Sequence, residues 1–150
     1  MSPSSACLSP TITMWTSVDD IMTGWPVIQQ MYPQFSEAEY RQRVEGLLKH
    51  NYRQFAYLID EQPVGVIGLW LFPRLWCGIQ ADIDNFVVDE AYRSKGIGKA
   101  LVQHCEAFAK AEGADVIVLD TYVDNPASHR FYFREGYTIL GYHFEKPLKS

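Results

Sequence analysis

Residues Phe86 to Lys99 read FVVDEAYRSKGIGK, and the run Arg93-Ser94-Lys95-Gly96-Ile97-Gly98-Lys99 inside it gathers two glycines and three cations. Glycine lets the backbone approach a ligand closely, and the first N–H groups of a helix have no acceptor inside the helix. If a helix begins here, its dipole adds roughly half a positive charge, and Arg93, Lys95 and Lys99 add theirs. The chemistry this permits is anion binding, of a phosphate above all. From G-x-G alone, a solvated basic helix start accounts for the residues equally well. The Walker A spacing G-x-x-x-x-G-K-[ST] is absent, and a Rossmann G-x-G-x-x-G fails because Leu101 stands where the third glycine belongs.

The elements around this run place it at a strand-to-helix junction. Thr11 to Trp15 alternates weakly as a first strand. Asp19 and Asp20 sit where a helix cap belongs, and Gly24 and Pro26 make that helix short or divided. Ser36 and Glu39 form a capping box ahead of Tyr40, Val44, Leu47 and Leu48, at helical spacing. The period then falls to two: Gln54 to Asp60, a turn at Glu61-Gln62-Pro63, and Val64 to Phe72 predict an antiparallel hairpin. Ile79 to Val88 follows as a strand, with Asp82 and Asp84 on one face. Gly96 to Glu112 is a helix whose apolar stripe is Ile97, Leu101, Cys105 and Phe108. Asp115 to Thr121 is a buried strand, Asn125-Pro126 opens a further helix through Glu135, and Tyr137 to Phe144 is a last strand. The expected fold is α/β: a mixed, mostly antiparallel central sheet flanked by helices. Its domain plan is a flexible segment over 1–10 and one domain over 11–150.

R-x-x-G-x-G at such a junction resembles the coenzyme A pyrophosphate loop of the GNAT superfamily of N-acetyltransferases. Asn125 to Tyr137 (NPASHRFYFREGY) is similar to that superfamily's N-x-x-A-x-x-Φ-Y-x-x-x-G-[FY] helix, with Ser128 where alanine is usual. The resemblance implies acetyl-CoA as co-substrate and direct attack by a primary amine in a ternary complex. It assigns backbone groups of Phe86, Val87 and Val88 to the pantetheine arm. Ser94, Lys95, Gly96, Ile97, Gly98 and Lys99 would hold the pyrophosphate, with Arg93 adding charge. It makes Tyr132 the acid that protonates the departing thiolate, and brings Tyr132 and Asn125 to the cofactor; Asn before Pro is also a good helix cap without any ligand.

An amine of pKa near 10.4 is almost wholly ammonium at neutral pH, so a base is needed. Asp82 and Asp84 are the candidates, Asp82 standing where some relatives carry a glutamate base. Two close carboxylates raise one another's pKa and attract a cation, although an exposed strand face explains them as well. The acidic balance, 13 Lys and Arg against 18 Asp and Glu for a net −5, leans toward a small cationic acceptor: a polyamine, an aminoglycoside or an amino-acid-like compound. A protein lysine or α-amino group, or a non-catalytic acyl-CoA-binding regulatory module, are the alternatives. Trp25, Tyr32 and Trp76 are candidates to line the acceptor groove.

The same balance disfavours nucleic acid as a partner. The apolar run Val64 to Phe72 is about half of a membrane span. Three cysteines (Cys7, Cys77, Cys105) without C-x-x-C, and no secretory leader, point to the cytoplasm. His50, His104, His129 and His143 show no zinc spacing, so no metal is expected, and no G-x-S-x-G elbow exists. The last strand can supply an edge for a homodimer.

Overall fold

In the computed structural model, which describes residues 10–149, five strands form one sheet: β1 (Thr11–Trp15), β2 (Tyr52–Ile59), β3 (Gln62–Arg74), β4 (Gly78–Val88) and β5 (Val116–Leu119), in that order across it. The first four pair antiparallel. The Asp115 N–H donates to the Ile79 carbonyl and the Ile79 N–H to Asp115 Oδ2, both at 2.8 Å, so β5 begins beside the beginning of β4. Helix α4 (Ile97–Ala111) connects them, the kind of crossover a parallel neighbour requires. The sheet is mixed and mostly antiparallel, as expected. Residues 1–9, which include Cys7 and nearly all of the expected flexible lead-in, lie outside the described residues.

Strand alternation assigns the faces. Ala56 and Val66 belong to a core with Trp15, Ile21, Trp25, Val27, Ile28, Tyr40 and Val44, drawn from α1 (Val18–Met22), α2 (Trp25–Met31) and α3 (Glu37–Leu47). Their neighbours Phe55 and Ile67 point the other way. The Phe55 ring meets His104 and Phe108 of α4 edge-on, with centroids 5.0 and 5.1 Å away. Leu101 and Cys105, on the stripe read from the sequence, are buried against that side, with Val102 beside them. Helices α1–α3 therefore cover one face and α4 the other.

Local signals mostly place the elements. The capping box closes on α3: the Ser36 hydroxyl accepts from the Glu39 N–H, and the Glu39 carboxylate accepts from the Ser36 N–H at 2.7 Å. Four expectations need correction. The strand expected to lie buried over Asp115 to Thr121 is only Val116–Leu119 and is half-buried, because it is the outer strand of the sheet among the described residues. Ser17, not Asp19 or Asp20, caps α1, its hydroxyl accepting from the Asp20 N–H at 3.1 Å. The hairpin turn is Asp60-Glu61, both left-handed (φ 52° and 61°), with Ile59 paired to Gln62, because that two-residue turn matches the twist of its strands. The last strand, Tyr137 to Phe144, is not formed. Residues 138–149 are exposed and irregular, since adjacent Ile139 and Leu140 break the alternation and Gly141 interrupts it.

The chain separates into two compact units, one through Val118 and one from Leu119. In the second, α5 (Pro126–Arg134) is capped by Asn125, whose side-chain oxygen accepts from the Ser128 N–H at 3.2 Å. The Tyr137 N–H returns to the Tyr132 carbonyl at 2.9 Å to close the helix. No helix among the described residues is long and apolar enough to cross a membrane.

Burial also sets the alkaline limit of the fold. It pushes the Cys105 thiol and the Tyr40 phenol each up to about 12, against about 8.5 and 10 in an unfolded chain. The native state then holds more protons than the unfolded one above pH ~9, so their contribution is complete below that pH and is lost as pH rises toward 12. Urea titrations between pH 9 and 12 should give an unfolding free energy that falls with pH, with a shallower slope in Cys105→Ala. A flat profile would contradict the assigned burial.

Candidate active site

β4 ends at Val88 and hands over to a loop that is tied down before it reaches α4. The Asp89 N–H donates to the Val64 carbonyl at 2.8 Å, and Asp89 Oδ1 accepts from the Ala91 N–H at 2.9 Å to start a single 3-10 turn, Glu90–Tyr92. Gln30, at the end of α2, grips the same corner twice. Its amide donates to Asp89 Oδ2 and its carbonyl oxygen accepts from the Glu90 N–H, each at 3.1 Å. The chain next passes Ser94 at φ 62° and Gly96 at φ 81°, a left-handed conformation that glycine adopts without penalty. Gly96 occupies the cap position of α4 and has no side chain to offer. The first bond in the α4 ladder is Ala100 N–H to the Gly96 carbonyl, so the N–H groups of Ile97, Gly98 and Lys99 have no acceptor within the helix. Ile97 is buried and anchors this turn, while Arg93, Ser94, Lys95 and Lys99 are exposed around it. Arg93 Nε donates to the Val88 carbonyl at 3.2 Å, and Lys95 Nζ stands 5.1 Å over the Tyr92 ring. The arrangement is an uncapped, cation-rimmed helix start. A pyrophosphate fits it in charge and in donor geometry.

Just upstream β4 slips. Gly68 pairs with Asp84 but Val66 pairs with Val87, so β4 carries one residue more than β3, and Asn85 takes φ 53° to absorb it. The slip keeps Asp82, Asp84, Asn85 and Val87 on the face covered by α1–α3. Asn85 is fixed there by two phenols: Tyr32 Oη donates to its Oδ1 at 2.8 Å, and its Nδ2 donates to Tyr52 Oη at 3.2 Å. A cleft of about 440 Å3 opens at this point. Tyr32, Phe35, Tyr40, Arg43, Leu47 and His50 line one side, and Tyr52, Trp70, Asp84 and Asn85 the other. The Asp84 carboxylate is exposed and accepts from Trp70 Nε1 at 3.2 Å and from the Asn85 N–H at 2.8 Å. Asp82 shares the strand face and pairs with Trp70, but it is half-buried, within 3.4 Å of Gln80 Nε2, and does not line the cleft. Of the expected groove aromatics, Tyr32 lines the cleft, Trp25 is core and stacks on Tyr40 at 5.1 Å, and Trp76 lies exposed outside the cleft, between β3 and β4. Asn85, Tyr52, Gln30 and Arg43 carry no motif; only an asparagine inside a β-rich run hints at a bulge.

In the second unit Tyr132 is packed edge-on against Phe131 and Tyr137, with centroids 5.2 and 5.7 Å away. Burial pushes its phenol up to about 12, so it carries its proton throughout the neutral range. Asn125 caps α5 through the bond to Ser128, the role that asparagine before proline can fill without any ligand.

Comparison with known proteins agrees with the fold. The acetyltransferase (GNAT) family profile matches residues 15–137. The chain belongs to that family and is an acetyl-CoA-dependent N-acetyltransferase by class. It is 27% identical over 135 residues to the uncharacterized N-acetyltransferase YhdJ of Bacillus subtilis (strain 168), covering 89% of this chain and 95% of that one. It is 33% identical over 107 residues to the aminoalkylphosphonate N-acetyltransferase of Salmonella typhimurium (strain LT2), covering 69% and 68%. Among solved structures it is similar to an aminoglycoside acetyltransferase from an uncultured soil metagenomic sample, with a TM-score of 0.81 at 18% identity, over 93% of this chain and 97% of that one.

Beside the bulge, Gly68 leaves room for the Tyr52 phenol. A Cβ there would collide with Tyr52 Oη, stand 2.7 Å from Tyr52 Cε2 and 2.8 Å from the Asp84 carbonyl oxygen, so backbone as well as side chain must move. Gly68→Ala should destabilise the protein by about 1–3 kcal/mol, read as a lower urea midpoint at unchanged slope. Unchanged stability would mean that Tyr52 is not held where it is described.

Proposed function

We propose that the chain acetylates the primary amine of a small molecule, held in the cleft beside Asp84, by direct attack on acetyl-CoA bound at the loop Arg93 to Lys99. The observation that supports this most is the sequence of three features on one strand and its sequel: a carboxylate facing a cleft, a bulge, then an uncapped helix start. Backbone groups of Phe86 to Val88 take the pantetheine arm, as the resemblance implies. N–H groups of Ile97 to Lys99, with Arg93, Lys95 and Lys99, take the pyrophosphate.

Asp84 and Asp82 are the carboxylates that receive the ammonium and draw off its proton, directly or through water. Asp84 is the better placed for contact, since it lines the cleft. The freed amine forms the C–N bond as the C–S bond breaks. A backbone N–H near Val88 stabilises the oxyanion, and Tyr132 donates its proton to the thiolate. A phenol raised to about 12 is a weak acid toward an ordinary thiolate. The transfer works because a leaving thiolate taken out of water becomes more basic as well. Cysteine usage supports the cytosol as the compartment. The Salmonella relative that acts on aminoalkylphosphonates supports a small-molecule acceptor.

Thiol release from acetyl-CoA, followed at pH 7 and 8.5 across polyamines, aminoglycosides, amino acids, aminophosphonates and lysine peptides, tests the reading. Release above the no-acceptor blank is expected with a small amine. Release with lysine peptides alone would make the protein a protein acetyltransferase. Tyr132→Phe should lower kcat on the order of 10²-fold or more with the acetyl-CoA KM unchanged. An unchanged kcat would remove the acid role.

A further inference from the structure

The cleft beside Asp84 carries two opposite charges, and neither forms an ion pair among the described residues. Among the described residues the ion pairs are Arg41 with Asp19 and His143 with Asp120, so Asp84 and Arg43 have no such partner. Glu39, one turn before Arg43, feels its charge, but Glu39 Oε2 already accepts from the Ser36 N–H at 2.7 Å and hydroxyl at 2.9 Å. Arg43 is nonetheless held in place. Its guanidinium lies 4.2 Å over the Phe35 ring, Phe35 stacks on Tyr32 at 5.3 Å, and Tyr32 is hydrogen-bonded to Asn85, the residue next to Asp84. One stack therefore links the cation on the helical wall to the anion on the strand wall. His50 adds an imidazole to the helical wall. A guanidinium offers a planar fork of donors matched to a carboxylate or phosphonate, which a diamine or an aminoglycoside has nothing to fill.

We propose that the acceptor is zwitterionic, its ammonium facing Asp84 and its carboxylate or phosphonate held by Arg43 with His50 on the same wall. This rests on the reading of the cleft as the acceptor site, and it narrows the small amines admitted there to amino acids and aminoalkylphosphonates. Arg43 is then a specificity-determining residue that takes no part in acetyl transfer.

The test compares, at equal chain length, an ω-amino acid, an aminoalkylphosphonate, the monoamine and the diamine. Both thiol release and direct binding by calorimetry are measured, with wild type, Arg43→Gln and His50→Gln. Wild type should favour the zwitterions over the diamine in kcat/KM and in Kd. Arg43→Gln should erase about 10- to 100-fold of that preference, the scale of a charge-assisted hydrogen-bonded contact, through KM rather than kcat. The acetyl-CoA KM should stay as it is, and the loss of kcat/KM should be much smaller with the monoamine, which offers Arg43 no anion. A diamine used as well as the zwitterions, Arg43→Gln with undiminished preference, or no binding of any of the four compounds would overturn the inference. Zwitterion binding that depends on Arg43 without thiol release from any acceptor would uphold it while removing the acetyl-transfer reading.

Discussion

The pairing of β3 with β4 survives past Asp84 because one residue, Asn85, drops out of register. Without that slip the alternation of β4 would continue through Phe86 and Val88 toward α1–α3, and Val87 would leave the core it shares with Val66, Trp15 and Ile28. A single left-handed asparagine thus lets one strand place Asp84 in a cleft and still bury Val87 three residues on. Tyr32 and Tyr52 make the slip durable by saturating the Asn85 amide from two sides. Everything downstream, from the end of β4 to the first turn of α4, is aimed by where that strand emerges.

The electrostatics follow from the same placement. The chain is acidic overall, yet the start of α4 is rimmed by Arg93, Lys95 and Lys99 and exposes three helix N–H groups with no internal acceptor. Glycine at the cap position is decisive there. Serine or aspartate would satisfy one of those donors from within the chain, and the donors would then be less available to a phosphate. Arg93, bonded to the Val88 carbonyl, shows that the cations are partly anchored to the strand end as well as displayed to solvent.

What the sequence makes legible is what short-range chemistry controls. The Ser36–Glu39 capping box, the stripe Ile97, Leu101 and Cys105, and the glycine-rich junction all state their structure within one or two turns of chain. The uncapped glycine-rich start of α4 and the mixed sheet could be read for that reason. The bulge at Asn85 is a relation between two strands, and the cleft joins residues from α3 to those of β2, β3 and β4, so neither has a local signature. The resemblance singles out Asp82, whereas packing leaves Asp82 half-buried and puts Asp84 at the cleft. The last strand fails for the opposite reason. Its apolar content suggests β structure, but Ile139-Leu140-Gly141 cannot keep a single face.

Two residues apart near the end of α2 stand Gln30, which clamps the corner of the loop before α4 at Asp89 and Glu90, and Tyr32, which holds the bulge beside the cleft. The final turn of α2 is therefore a shared strut under the loop corner and the cleft. A substitution that loosens that turn therefore loosens two places at once, because the Gln30 grip on Asp89 and Glu90 and the Tyr32 bond to Asn85 hang from one short stretch of chain.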